Sequence, residues 1–180
     1  HFTVPRMAMP YTDVSPWGGS EFGNMIQTAP FGLGYYLGAL GRLRYGCCGI
    51  ISTPEHVARW AYELYQPNGS AISESVRNQL LNSFSEERVP DWGTAVGESY
   101  GYLASKRTFT LPNSTTITAY GHPGGGGGYA SVMLYSPDLD LAISIMANSE
   151  MSFRGACGPE KPMNCIASEI FAAYSITESP

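Results

Sequence analysis

The sequence has little charge. Asp, Glu, Lys and Arg make up only 14% of its 180 residues, whereas a typical soluble domain has about 25%. A surface so poor in charge indicates either a secreted protein or a face that another segment covers. The net charge of −5 comes without a basic cluster, which argues against nucleic-acid and anionic-membrane partners. No apolar run approaches the roughly 20 residues of a membrane-spanning helix, so we expect no membrane span.

Metal-binding patterns are also lacking. The sequence has no CxxC pair, and its His and Cys residues are too dispersed to give the ligand spacing of a metal site. Cys157 and Cys165 bracket the loop-like sequence GPEKPMN, so we expect a disulfide between them. Cys47 and Cys48 are adjacent, and a ring between neighbours is strained. Cys47 and Cys48 are therefore as readily disulfide-bonded to cysteines elsewhere as present as free buried thiols.

Two N-glycosylation sequons lie in turn-like sequence. Asn68-Gly69-Ser70 and Asn113-Ser114-Thr115 both fit the acceptor pattern, although such tripeptides also arise by chance. Together with the cysteines they favour a secreted, extracellular protein that is glycosylated at Asn68 and Asn113.

Residues 51–85 predict two helices, whereas residues 1–50 show no sustained period and are expected to be irregular. The stretch Ser52-Thr53-Pro54-Glu55 combines a capping hydroxyl, a Pro in the first turn and a Glu three residues after Ser52, which is typical of a helix start. One apolar face then follows at helical spacing: Val57, Trp60, Ala61, Leu64 and Tyr65. Pro67-Asn68-Gly69 ends this helix, and Ser73 begins the second.

Residues 99–150 predict an antiparallel sheet of about four strands, followed by a closing helix within residues 163–175. The strands form two hairpins, 100–110 with 115–122 and 129–135 with 140–147. The expected fold class is therefore α+β, a meander with two preceding helices and a C-terminal helix packed on one face of the sheet. The 180 residues form a single domain or the C-terminal segment of a larger one.

The sequence GHPGGGGGY at residues 121–129 stands between two predicted strands. A glycine run is often a plain hairpin loop, and His122 is then an ordinary polar residue. Glycine also lets another molecule approach the main chain, so a glycine-rich strand end with exposed N–H groups can bind an anion or oxyanion. A phosphate-binding P-loop fits poorly, because its lysine is missing and a strand follows instead of a helix.

Three segments together resemble the serine β-lactamase-like family, which includes class C β-lactamases, DD-peptidases and related esterases. Residues 120–148 resemble its third active-site motif with the following strand, Pro-Asp turn, strand and Asn. CCGIISTPEHVARWAYELY at 47–65 resembles a family helix, and SYGYL at 99–103 resembles its "YGLGW" segment. The resemblance implies the C-terminal part of the β-lactamase/transpeptidase-like fold and hydrolysis of an ester, amide or lactam through an acyl-serine.

The resemblance also implies roles for consecutive residues. His122 falls where the family has Lys or His, assisting proton transfer or holding substrate, and the N–H of Gly125 falls where an oxyanion donor lies. Pro123, Gly124 and Gly126 fall along the substrate-binding strand. Pro123 departs from the usual Thr or Ser and has no hydroxyl for a substrate carboxylate. This departure argues against the carboxylate-recognising branch, the β-lactamases and DD-peptidases, and is compatible with an esterase-like or altered specificity.

The family's nucleophile motif, Ser-x-x-Lys, does not occur in this sequence. The two lysines, Lys106 and Lys161, are preceded at the required spacing by Leu103 and Gly158. We therefore expect the C-terminal segment of a hydrolase whose N-terminal segment or chain supplies the nucleophile, a small acyl substrate, and no cofactor. By itself this chain is expected to be inactive. The alternative is a non-catalytic binding or structural subunit derived from that family.

Overall fold

The computed structural model describes residues 11–13, 25–27, 50, 52–85, 99–102, 104–126, 129–148 and 162–177. The helices are α1 (Pro54–Tyr65), α2 (Glu74–Leu81) and α3 (Pro162–Thr177). The strands are β1 (Tyr11–Asp13), β2 (Met25–Gln27), β3 (Ser99–Tyr100), β4 (Ser105–Thr110), β5 (Thr116–Gly126), β6 (Tyr129–Ser136) and β7 (Leu141–Ala147). The arrangement confirms the predicted α+β class with an antiparallel sheet.

The chain divides into two compact units. The first comprises His1–Ser52, Gly124–Ser131 and Met146–Met151, and the second Thr53–Pro123, Val132–Ile145 and Ser152–Pro180. In the first unit β1 and β2 form a short antiparallel pair in which Tyr11 lies opposite Gln27. The sequence pattern did not predict this pair, because three-residue strands are too short to show a period.

Helix α1 begins within the predicted stretch, but Thr53 provides its cap, one residue later than the Ser52 cap that the spacing to Glu55 predicts. The Thr53 side chain accepts a hydrogen bond from the His56 N–H at 3.3 Å, and Pro54 occupies the first turn. Ala61 and Tyr65 on the predicted apolar face are buried, but Trp60 is 51% exposed. Ser73 caps α2 as expected, accepting from the Val76 N–H at 3.4 Å.

Arg77 of α2 joins the two helices. Its side chain is 3% exposed, and its guanidinium donates to backbone carbonyl oxygens at and beyond the end of α1. The acceptors are Glu63, Leu64, Pro67, Gly69 and Ile72. The last carbonyls of a helix lack intrahelical partners and carry partial negative charge. The buried guanidinium has five N–H donors, so it supplies both the missing hydrogen bonds and a compensating positive charge.

The larger sheet has five strands in the order β3-β4-β5-β6-β7, one more than the sequence predicts. The segment expected as a single strand at 100–110 is a hairpin, in which Tyr100 pairs with Ser105. The Gly101 N–H donates to the Ala104 carbonyl at 2.9 Å and closes the turn. A side chain at Gly101 would collide with Ser83, so this glycine permits the close approach.

Helices cover both faces of the sheet, whereas the sequence predicts a helix on one. On one face α3 packs over a core that includes Phe109, Ile117, Leu134 and Phe171, with the two phenylalanine rings 5.3 Å apart. On the other face α1 and α2 pack over a second core. Its members include Ala61, Tyr65, Leu80, Phe84, Ala104, Tyr120, Met133 and Tyr135.

The turn between β6 and β7 is tied to α1. Asp140 has a left-handed backbone, with φ of 45°, and its carboxylate accepts hydrogen bonds from Tyr62 at 3.2 Å and Tyr135 at 3.0 Å. Burial and Asp140 raise the pKa of Tyr135, and Asp140 followed by burial raises that of Tyr62. Both phenols therefore keep their protons and act as donors at neutral pH.

Candidate functional site

Strand β5 carries the residues that the sequence analysis selects. It runs from Thr116 to Gly126 and includes His122, Pro123, Gly124, Gly125 and Gly126. The first half of the glycine run is thus strand, and Gly127 and Gly128 lie outside the described residues. A strand whose backbone is extended can direct its N–H groups sideways, as an oxyanion strand must.

The C-terminal half of β5 extends past β4. The two strands pair from Thr110 opposite Thr116 to Ser105 opposite Gly121. The described register of β5 with β4 therefore ends at Gly121. Proline has no N–H for a ladder and is tolerated at such an edge, which explains why β5 accommodates Pro123.

Tyr100 and the backbone hold the His122 ring. The Tyr100 hydroxyl lies 2.8 Å from His122 Nε2, and Nδ1 is hydrogen-bonded to the Pro123 carbonyl oxygen. The two rings meet edge to face, with centroids 5.8 Å apart. The histidine is half-buried. Both ring nitrogens therefore have protein partners that orient the imidazole.

Two glycines of β5 differ in the space around them. A Cβ at Gly121 would lie 2.8 Å from the Met133 carbonyl carbon and closer still to its oxygen, both backbone atoms of β6. A Cβ at Gly124 would meet the Ser131 hydroxyl, whose Cβ is 3.8 Å away. Gly121 thus permits close strand packing, whereas at Gly124, which is exposed, the obstacle is a side-chain hydroxyl and not backbone.

A buried polar chain anchors β5 just before His122. The Ser105 hydroxyl donates to the Gly121 carbonyl at 3.1 Å, and Arg107 Nε donates to the same hydroxyl at 3.1 Å. An Arg107 Nη also donates to the Asn164 side-chain oxygen of α3 at 2.7 Å. Buried polar groups that satisfy one another's hydrogen bonds are rigid. This hydrogen-bond network therefore fixes the position of β5.

Aromatic rings surround the base of the site. Tyr120 stacks on Phe84 with centroids 5.5 Å apart and on Tyr65 at 6.2 Å. Burial, with a smaller contribution from Tyr100, raises the pKa of Tyr65 to about 12. Burial followed by the Asp138 charge raises the pKa of Tyr120. Both phenols therefore keep their protons at physiological pH and add no charge to this face of β5.

The structure describes only some of the cysteine and sequon residues that carry the remaining predictions. Cys165 is disulfide-bonded, but Cys157, Cys47 and Cys48 lie outside the described residues, so the pairing with Cys157 stays a prediction. Asn68 and Asn113 are both exposed in turns, and their glycosylation also stays a prediction.

No cluster of His, Cys, Asp or Glu able to hold a metal occurs among the described residues. No helix in the described ranges has the length and apolar character needed to cross a membrane. A surface depression of about 540 Å³ is lined by Glu74, Ser75, Asn78, Gln79 and Asn82 of α2. It contains none of the predicted site residues.

Three residues of this region were missed by the sequence analysis: Tyr100, Ser105 and Arg107. Tyr100 lies within SYGYL, the segment that carries part of the family resemblance, and that position was the available signal. Ser105 and Arg107 occupy buried positions of a strand whose pattern alternates buried and exposed residues. Charged and hydroxyl side chains at those positions are the signal for a buried polar network, which needs partners from distant segments.

The fold and the strand define a class: an α+β domain with helices on both sides of an antiparallel sheet and a glycine-rich strand end bearing a fixed histidine. The beta-lactamase family model matches residues 1–158 of the chain. The chain therefore belongs to the beta-lactamase family, which confirms the resemblance drawn from residues 47–65, 99–103 and 120–148. Neither a curated protein nor a solved structure matches the chain.

Proposed function

We propose that this chain supplies the oxyanion strand and the histidine motif of a beta-lactamase-like serine hydrolase. The reaction class is acyl transfer to a serine hydroxyl followed by hydrolysis of the acyl-serine, with an ester, amide or lactam as substrate. One observation carries the proposal. In a chain that belongs to this family, β5 continues as regular strand through His122 and on to Gly126.

Each residue of the motif has a proposed role. The Gly125 N–H donates to the oxygen that becomes negative as the serine attacks the acyl carbon. Gly124 and Gly126 bring no side chain, so the substrate reaches the main chain. His122 assists proton transfer or holds substrate. Pro123 offers no hydroxyl to a substrate carboxylate, so we propose esters and related neutral acyl groups as the substrate class.

The nucleophile and its base come, in this proposal, from an N-terminal segment or partner chain with the Ser-x-x-Lys motif. In the first step the serine oxygen bonds to the acyl carbon, its proton passes to the base and the leaving group departs with a proton. In the second step water adds to the acyl carbon, the bond from that carbon to the serine oxygen breaks, the serine regains its proton and the carboxylic acid departs. No cofactor takes part. We also propose an extracellular location, for which the disulfide of Cys165 is the support.

A bulky residue at Gly124 tests the oxyanion role in the longer polypeptide that includes the upstream segment. Gly124→Val is combined with Ser131→Ala, because the Ser131 hydroxyl is the atom that a new Cβ would meet. We expect turnover of a chromogenic ester to fall by roughly 10² to 10³-fold, with an unchanged melting temperature. Ser131→Ala alone is the matched control and should keep full turnover. Full activity of the double variant would contradict the proposal.

The second candidate is a non-catalytic binding or structural subunit. Its support is the lack of Ser-x-x-Lys in the sequence, because without an activated nucleophile no acyl-serine forms. The two candidates separate by intact mass and by the gene. An upstream segment with the motif favours the hydrolase, and a mature polypeptide of these residues alone favours the subunit.

A further inference from the structure

The contacts of the His122 ring assign one tautomer. A carbonyl oxygen can only accept a hydrogen bond, so the bond to Pro123 requires a proton on Nδ1. In a neutral imidazole Nε2 then carries the lone pair, and the Tyr100 hydroxyl, 2.8 Å away, donates to it. Tyr100 thus contributes the hydrogen bond that makes Nε2 the acceptor nitrogen of the ring.

The backbone holds Tyr100 from both sides. It pairs with Ser105 of β4, whose hydroxyl bonds to the Gly121 carbonyl beside His122. On its other side, the Ser85 N–H donates to the Tyr100 carbonyl at 3.2 Å. Tyrosine and histidine are therefore brought together by a continuous set of backbone and side-chain hydrogen bonds.

We propose that Tyr100 is the positioning residue of His122. It fixes the Nδ1–H tautomer and orients the imidazole by donating to Nε2, the acceptor nitrogen of the ring. This role rests on the proposed function only for its catalytic consequence. The tautomer itself is a property of the chain, and it can be measured without activity.

The first experiment is a long-range ¹H–¹⁵N spectrum of the histidine rings in the 180-residue chain. The chain has three histidines, and loss of one set of signals in His122→Asn assigns that ring. At about pH 8.5, where a typical imidazole is neutral, we expect His122 to show the Nδ1–H pattern. A ring that is mainly Nε2–H in the parent chain overturns the proposal by itself, even where a variant fails to fold.

The variant Tyr100→Phe removes the phenol and keeps the ring. We expect the tautomer ratio of His122 to shift towards Nε2–H by about fivefold, the effect of losing one neutral hydrogen bond. The matched control is Tyr102→Phe in the same segment, because its side chain is 70% exposed. The control should leave the ring signals unchanged. A folded Tyr100→Phe chain with the parent ratio contradicts the proposal.

The catalytic arm uses the longer polypeptide that carries the nucleophile. Tyr100→Phe should lower kcat for the chromogenic ester by about fivefold with little change in KM, and Tyr102→Phe should change neither. An unchanged kcat in a folded Tyr100→Phe enzyme overturns the positioning role. If the parent shows no turnover, the proposed function fails, whereas the ring spectra still decide whether Tyr100 fixes the tautomer.

Discussion

Gly121 should be the least replaceable glycine of the strand that carries the site. A Cβ there would lie 2.8 Å from the Met133 carbonyl carbon, closer to its oxygen, and 3.0 Å from the Leu134 Cα. All three are backbone atoms of β6, so no side-chain rotation relieves the contact. The two strands would have to separate by about 1 Å in a close-packed interior. The hydrogen bond from Ser105 to Gly121 would be distorted as well.

Overpacking of this kind costs about 1–3 kcal/mol, and the contact with backbone atoms of β6 places Gly121→Ala near the upper value. For a chain of this size, 3 kcal/mol lowers the melting temperature by about 6–12 °C. Thermal unfolding followed by circular dichroism measures the loss. Gly124→Ala is the matched control, because rotation of the Ser131 hydroxyl makes room for it. Equal melting temperatures for the two variants would refute the assigned packing of β5 on β6.

Three further predictions concern the fold. Arg77→Met should lower the free energy of unfolding, measured in urea, by about 3 kcal/mol, because the carbonyls at the end of α1 lose a charged donor. Arg59→Met is the control, because Arg59 is exposed. Equal losses in the two variants would contradict the role of Arg77 in joining the helices. Tyr65 loses its proton near pH 10 when unfolded and near 12 when folded. The contribution of the neutral Tyr65 phenol to the free energy of unfolding is therefore fully present below pH 10. About 2–3 kcal/mol of it is lost as the pH rises to 12. Tyr65→Phe should remove that part of the alkaline loss, and an unchanged pH dependence would contradict the burial of this phenol. Peptide mapping without reduction should recover Cys157 linked to Cys165, and a link from Cys165 to another cysteine would disprove the pairing.

The local signals in the sequence predicted both of the first two helices, although the cap of α1 lies one residue later than expected. Thr53 and Ser73 each cap a helix by accepting a hydrogen bond from the N–H three residues later, so each helix start depends on a few neighbouring residues. The number of strands was harder, because the hairpin at Tyr100 and Ser105 depends on Gly101 fitting against Ser83. That contact joins segments far apart in the chain, and no local period reports it.

The candidate site was also predicted from the sequence only in part. The motif from His122 to Gly126 was recognised because its residue types are unusual and consecutive. Tyr100 reaches His122 only through the pairing of β3, β4 and β5. The burial of Arg77 likewise depends on carbonyls that converge from α1 and the following turn. Such polar partners are properties of the assembled fold, which a pattern of apolar residues does not specify.

Covalent labelling with a fluorophosphonate probe, followed by mapping of the modified serine, tests the central claim most directly. We expect no labelled serine in the 180-residue chain and one labelled serine, in Ser-x-x-Lys, in a longer polypeptide that includes the proposed upstream segment. A labelled serine within residues 1–180 would contradict the claim that this chain contributes the oxyanion strand without the nucleophile.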